Sequence, residues 1–160
     1  MSFIKLKFFI SFLFLINACG FSQDKMSTIK NLEKISIETP NNRFNLILKK
    51  HLKRVFNYKP DNVKEFILKS EISFISSNTL SVSGLNNLKS TKGTVAYNLI
   101  DLKSGKTIKS GSIVTFPALS ASSSSLYSND LSLEHIKERL ILSSAKKLHM
   151  HIKLIIQKLN

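Results

Sequence analysis

Cysteine, arginine, acidic side chains and long apolar runs are all scarce in this 160-residue chain, and each scarcity excludes something. Cys19 is the only cysteine, so no intramolecular disulfide is available and the fold must rest on its apolar core. Three arginines stand against 21 lysines, so the bidentate fork that favours arginine in specific phosphate recognition is rare here. Ten Asp and Glu face 24 Lys and Arg, for a formal charge of +14. Such a surplus points to an anionic partner, namely nucleic acid, acidic lipid or a phosphorylated glycolipid. The abundance of Lys, Asn, Ile and Ser also fits an A/T-biased genome, so part of the charge reflects codon usage. The one long apolar run, Phe8 to Ile16, is about half the ~18 residues that a membrane-spanning helix needs.

Catalytic signatures are missing as well. "SGKT" (Ser104 to Thr107) invites a phosphate-loop reading, but that motif needs glycine where Ile100 stands, and a helix after it. A strand follows instead, so the stretch reads as a hairpin turn that uses Gly105. No HExxH is present around Glu134, His135 and Glu138. His149 and His151 lie two apart on a predicted helix and project to different sides, which rules them out as paired metal ligands. His51 falls on the apolar stripe of an earlier helix and reads as a semi-buried histidine. The serines form no GxSxG elbow. The expectation is a protein that is not an enzyme, with no catalytic residue, no metal and no cofactor apart from a covalent lipid.

That lipid is implied by residues 1–18, "MSFIKLKFFISFLFLINA". Lys5 and Lys7 form a positive head, Phe8 to Ile16 a short apolar core, and small Ala18 precedes Cys19, which are the parts of a secretory signal. Ile16, Asn17 and Ala18 before Cys19 resemble a bacterial lipobox, whose cysteine is acylated and becomes the new N-terminus. The plainer alternative is a signal peptide followed by an incidental cysteine. Two or three acyl chains hold a protein at a membrane where one does not. In lipoproteins as a class, Gly rather than Asp after the cysteine implies passage onward to the outer membrane, and Gly20 stands there. Removing 18 residues of the 160 leaves 142 and takes the charge from +14 to +12. That length suits one domain.

The expected organisation is a lipoprotein signal peptide over 1–18, a lipidated N-terminus and tether over 19–30, and a single domain over 31–160. Ile35 and Ile37 share one face of a short strand. Pro40, Asn41 and Asn42 signal a helix start. Phe44, Ile47, Leu48, His51, Leu52 and Val55 then recur at helical spacing, with Lys49, Lys50, Lys53 and Arg54 mostly on the other side. Glu65 to Ser76 alternates as a half-buried strand, with Phe66, Leu68, Ile72 and Phe74 inward. A second extended piece through Leu80 and Val82 precedes a polar loop, "GLNNLKSTKG". Val95, Tyr97 and Leu99, a turn at "LKSG", and Ile108 to Phe116 make a hairpin. Ala118 to Ser132 reads as a serine-rich loop, its Ser120–Ser125 tract low in complexity. Leu133, Ile136, Leu140, Leu148, Ile152, Ile155, Ile156 and Leu159 then mark a long C-terminal helix. Glu134 and Glu138 lie near its start and Lys153 and Lys158 near its end, as the helix dipole favours. The implied fold is α+β, a two-layer sandwich with two helices packed on one face of a roughly four-stranded mixed sheet.

Taken in this order, the chain resembles the LPS-assembly lipoprotein LptE family in its alphaproteobacterial form. "CGF" (Cys19 to Phe21) is similar to the start of those mature proteins. "YNLIDLKSGKTIKSG" (Tyr97 to Gly111) is similar to their hairpin, in which a tyrosine-led strand enters a "DL-x-[ST]-GK" turn and leaves through a small pair ending in Gly. "SQDKMSTIK" after Phe21 departs from the family's pattern. The resemblance implies an outer-membrane lipoprotein, anchored through Cys19, facing the periplasm and seated within the lumen of the barrel LptD. There it would plug and stabilise the barrel and assist assembly of lipopolysaccharide at the cell surface. Its implied partners are LptD, lipopolysaccharide and the membrane, and no nucleic acid. Lys89 and Lys92, in the loop between strands, are the residues singled out for phosphate contact, against the plainer reading of solvated loop lysines. The alternative function is an outer-membrane lipoprotein that binds another anionic envelope component.

Overall fold

Ile35 and Ile37 alternate with Ser36 and Glu38, and the four residues form β1, Ile35–Glu38, with both isoleucines buried. A computed structural model describes residues 32–80, 87–121 and 126–159. The expected leader and tether, Cys19 included, lie outside the described residues, as do Val82 and residues 122–125 of the serine tract. After β1 the chain turns at Pro40 into α1, Arg43–Val55. Asn42 caps this helix by accepting the Asn45 backbone N–H at 3.0 Å, which satisfies one of the unpaired donors of the first turn.

α1 crosses from β1 to β2, Phe66–Leu80, which runs parallel to β1. The connection between them is tied down by Glu33, whose carboxylate accepts from Asn57 at 2.8 Å and Asn62 at 3.2 Å and pairs with Lys59. Those contacts, led by Lys59, hold the Glu33 carboxyl below its ordinary pKa. β2 and β3, Asn87–Asp101, form a long antiparallel hairpin in unbroken register from Phe66↔Asp101 to Leu80↔Asn87. A tight turn then leads to β4, Thr107–Val114. In that turn the Asp101 carboxylate accepts from Ser104 Oγ at 2.8 Å and the Lys103 N–H at 3.0 Å. Gly105 adopts φ of +67°, a left-handed conformation that glycine reaches without penalty. The turn is followed by a strand, so "SGKT" is a hairpin corner.

The sheet order is β1-β2-β3-β4, with β1 parallel to β2 and the rest antiparallel. A fifth strand, β5 (Ala118–Ala121), pairs with Leu88 to Thr91 of β3, beyond the point where β4 stops. Thr115 bridges the two, its hydroxyl and amide both bonded to the Gly93 carbonyl at 2.9 Å. The last element is α2, Leu126–Gln157.

Two sequence expectations are corrected here. The polar stretch before Thr94 is strand from Asn87 onward, because β2 continues to Leu80 and supplies partners for it. Ala118 to Ser132 is not one loop: its start pairs with β3 as β5, and α2 begins at Leu126, seven residues before Leu133. Serine tolerates either state, so pairing against an existing strand decides it.

Both helices cover one face of the sheet, giving the two-layer α+β arrangement. They run side by side in the same direction, for Arg43 makes a double hydrogen bond to Glu134 near one end while Phe56 packs edge-on against His149 further along. Leu48, Leu52 and Phe56 of α1 meet Leu68 and Ile72 of β2, Val95 and Leu99 of β3, and Ile141, Leu148, Ile152 and Ile156 of α2 in one core. Removing each such side chain from water contributes about 1.5–3 kcal/mol. Ile141 and Ala145 join this core although the sequence stripe omitted them, whereas Leu159, counted in that stripe, is 53% exposed beyond the helix end.

Candidate functional site

β2 and β3 alternate faces along an unbroken register, so the two sides of the sheet can be read residue by residue. Leu68, Ser70, Ile72, Val95, Tyr97 and Leu99 point into the helix-covered core. Lys69, Glu71, Ser73, Thr94, Ala96 and Asn98 form the opposite face, which no described element covers. There Glu38, Lys69, Glu71, Ala96 and Asn98 border a concavity of about 390 Å³ beside Thr39 and Pro40. Lys69 Nζ lies 3.7 Å from the Glu38 carboxylate, and with Glu71 the hollow carries more carboxylate than ammonium. It offers no histidine or thiol for proton transfer or nucleophilic attack. A small polar groove of this kind suits hydrogen bonding to a partner surface; its carboxylates oppose phosphate.

Lys89 and Lys92 do not stand together in a loop. Both lie in β3, Lys89 opposite Asn78 and Ser120, Lys92 opposite Ile75. Three positions apart on a strand, they point to opposite faces: Lys92 is exposed on the open side, and Lys89 is half-buried on the side of the helices. The structure therefore does not bring them into one phosphate-binding pair.

The histidines separate as their spacing requires. His151 Nε2 lies 2.7 Å from the Tyr97 hydroxyl, while His149 packs against Phe56 at 4.9 Å between ring centres. Tyr97 rests on Gly111 of β4, where an added Cβ would come within 3.1 Å of its hydroxyl oxygen. Burial pushes the Tyr97 pKa up and the His149 pKa down, Lys153 adding to the latter. His51 is half-buried, as its place on the stripe implied, and burial lowers its pKa, with Lys50 and Arg54 acting in the same direction. Among the described residues, no group of three His, Cys, Asp or Glu is placed to hold a metal, and no helix is long and apolar enough to cross a membrane.

The outer surface of the helix layer is cationic. α1 carries Arg43, Lys49, Lys50, Lys53 and Arg54 and no acid. In α2 the acids stop at Glu138, and Arg139, Lys146, Lys147 and Lys153 follow. Sequence periodicity placed the α1 cations outward but missed that α2 also exposes Met150, at 65%, and Leu154, at 58%. The signal was present in the apolar residues that fall off the buried stripe. A further exposed aromatic, Phe116, is 83% accessible, with Lys147 Nζ 4.4 Å above its ring.

No family model and no curated protein matches this sequence. The architecture itself defines a class: the chain has the fold of a group of bacterial lipoproteins of known structure. A Caulobacter crescentus protein described as a lipoprotein superposes with TM-score 0.66 at 14% identity, covering 84% of this chain and 98% of that one. The minor lipoprotein of Acinetobacter baumannii gives 0.60 at 15% identity, over 77% of this chain and 92% of its own. Rare lipoprotein B of Shewanella oneidensis gives 0.61 at 12% identity, over 78% and 97%.

Proposed function

We propose that this protein is an outer-membrane lipoprotein, anchored through acylated Cys19, that plugs and stabilises the LptD barrel and assists lipopolysaccharide assembly. The observation that carries this reading is the fold shared with rare lipoprotein B over nearly that protein's whole length. The lipobox-like residues before Cys19 and the Tyr97 to Gly111 hairpin support it from the sequence side. The physics is compatible, because a large barrel has a polar lumen and this domain keeps its core on one side of the sheet. The uncovered face, with Ser73, Thr94, Ala96 and Asn98, is small and polar enough to lie against such a wall. The protein acts as a scaffold and plug, without catalysis or a cofactor.

Affinity capture from solubilised outer membranes tests the reading. Recovery of a barrel protein of LptD size is the expected result. Its absence, with the tagged chain itself recovered, moves the assignment to a lipoprotein that binds another anionic envelope component, a reading the cationic helix layer favours. Mass measurement of the mature N-terminus tests the anchor separately: unmodified Cys19 would end that part of the proposal.

A further inference from the structure

The helix layer combines two properties that seldom coincide on a protein surface facing only water. Leu142, Met150 and Leu154 lie along the outward stripe of α2 at 38%, 65% and 58% exposure. At 3.6 residues per turn they fall within roughly 120° of one another, so all three share one side of the helix. Exposed Lys146 lies on the same stripe, and exposed Lys50 and Lys53 belong to α1 beside it. No acid occurs in α1 or in α2 after Glu138. Of the acids before that point, Glu134 is already paired with Arg43.

Exposed aliphatics flanked by long-stemmed lysines match the boundary of an anionic bilayer. The apolar side chains sink past the headgroups while the ammonium groups stay level with the phosphates. A nucleic acid surface would favour arginine and stacking aromatics instead, and α1 and the second half of α2 carry mostly lysine and aliphatics.

The route by which the N-terminal segment joins the domain agrees. Glu33, at the start of the described chain, is bonded to Asn57 just past the end of α1. The segment therefore meets the fold at the end of the helix layer where the α1 cations cluster. Twelve residues lie between Cys19 and Leu32, and the thirteen steps from one to the other span at most about 45 Å. The acyl chains on Cys19 would keep the domain that close to the lipid, raising the effective concentration of headgroups around the helices.

We propose that the outer surface of α1 and α2 is a second membrane contact, docking the domain on anionic phospholipid when no barrel holds it. The proposal rests on the lipoprotein reading for its setting.

The chain has no tryptophan, so Met150→Trp adds a single reporter at the centre of the surface. The full chain with this substitution, purified from membranes, is reconstituted into vesicles of phosphatidylcholine alone or mixed with phosphatidylglycerol. Emission shifted to shorter wavelength and quenched by brominated lipid only in the anionic vesicles is the expected result. Adding Lys50→Glu and Lys146→Glu should abolish the shift. The same charge change at Lys69, on the open face, and Lys103, in the β3–β4 turn, should leave it. Water-like emission in both vesicle types, or equal loss with both pairs of substitutions, overturns the proposal. So does a blue shift that appears only when a purified barrel protein is added to the vesicles, because the surface would then belong to that protein. All the substituted side chains except the turn lysine lie on regular elements at exposed positions, and a thermal melt verifies each fold. Failure of the chain to float with neutral vesicles sinks the anchor instead. Flotation with anionic vesicles then decides docking alone, binding sustaining it and absence overturning it.

Discussion

The Asn45 side-chain oxygen accepts the backbone N–H of Ile72 at 2.8 Å, joining the first turn of α1 to the middle of β2. β1 pairs with β2 only as far as Lys69, so beyond that point the β2 edge has no strand beside it. Asn45 stands in for the missing strand. It is 1% exposed, and its side-chain nitrogen donates in turn to Asn42.

Replacing Asn45 with Leu keeps the bulk and removes the acceptor. The stranded Ile72 N–H should cost about 1–3 kcal/mol. Urea denaturation measures the loss, and amide exchange at Ile72 should accelerate beyond that of Leu68. Unchanged stability would show that water or backbone shift satisfies the group.

Tyr97 and Gly111 should behave as a coupled pair. Tyr97→Phe loses the bond to His151 and should cost about 0.5–1.5 kcal/mol. Gly111→Ala places a methyl 3.1 Å from the Tyr97 hydroxyl oxygen and 3.3 Å from its ring, which the ring must move to accept. Because Tyr97→Phe removes the first of those contacts, the double variant should cost less than the sum of the two. Strict additivity in thermal melts would contradict the geometry.

Stability should fall as pH drops through the histidine range. Burial lowers the folded-state pKa of both His149 and His51, so between the folded value and the ordinary ~6.5 the unfolded chain binds more protons. The folded state is therefore at full strength above that ordinary value and loses ground below it. Melts between about pH 7.5 and 5.5 should show the decline, and His149→Leu should flatten it. An equal decline in the variant would assign the effect elsewhere.

Gly105 should resist replacement for backbone reasons alone. Nothing lies within 4 Å of a Cβ built there, yet its φ is +67°. Gly105→Ala should cost roughly 1 kcal/mol and Gly105→Asn less, since asparagine enters the left-handed region more readily. Identical melts for the two variants would be inconsistent with a purely conformational penalty.

These relationships differ in how far they could be read beforehand. The Gly105 turn was legible in "DLKSGK", because the residues that build it are adjacent in sequence. Core positions such as Leu48, Leu68 and Val95 were legible through periodicity, which buries one helical stripe or one strand face wherever the partner comes from. Lys89 and Lys92 were misplaced because a polar stretch with Gly93 and several serines carries no apolar alternation, and only the continued register of β2 makes it a strand. β5 was missed for the same reason.

The α+β class, the two helices and most of the apolar faces were settled by the sequence itself, since backbone geometry converts spacing directly into a buried side. Partners distant in the chain were decided only by the tertiary structure: Asn45 with Ile72, Tyr97 with His151, and the lysines of two helices on one surface. Each depends on register and on the relative placement of elements, which arise from how whole faces pack together, and no local pattern encodes them.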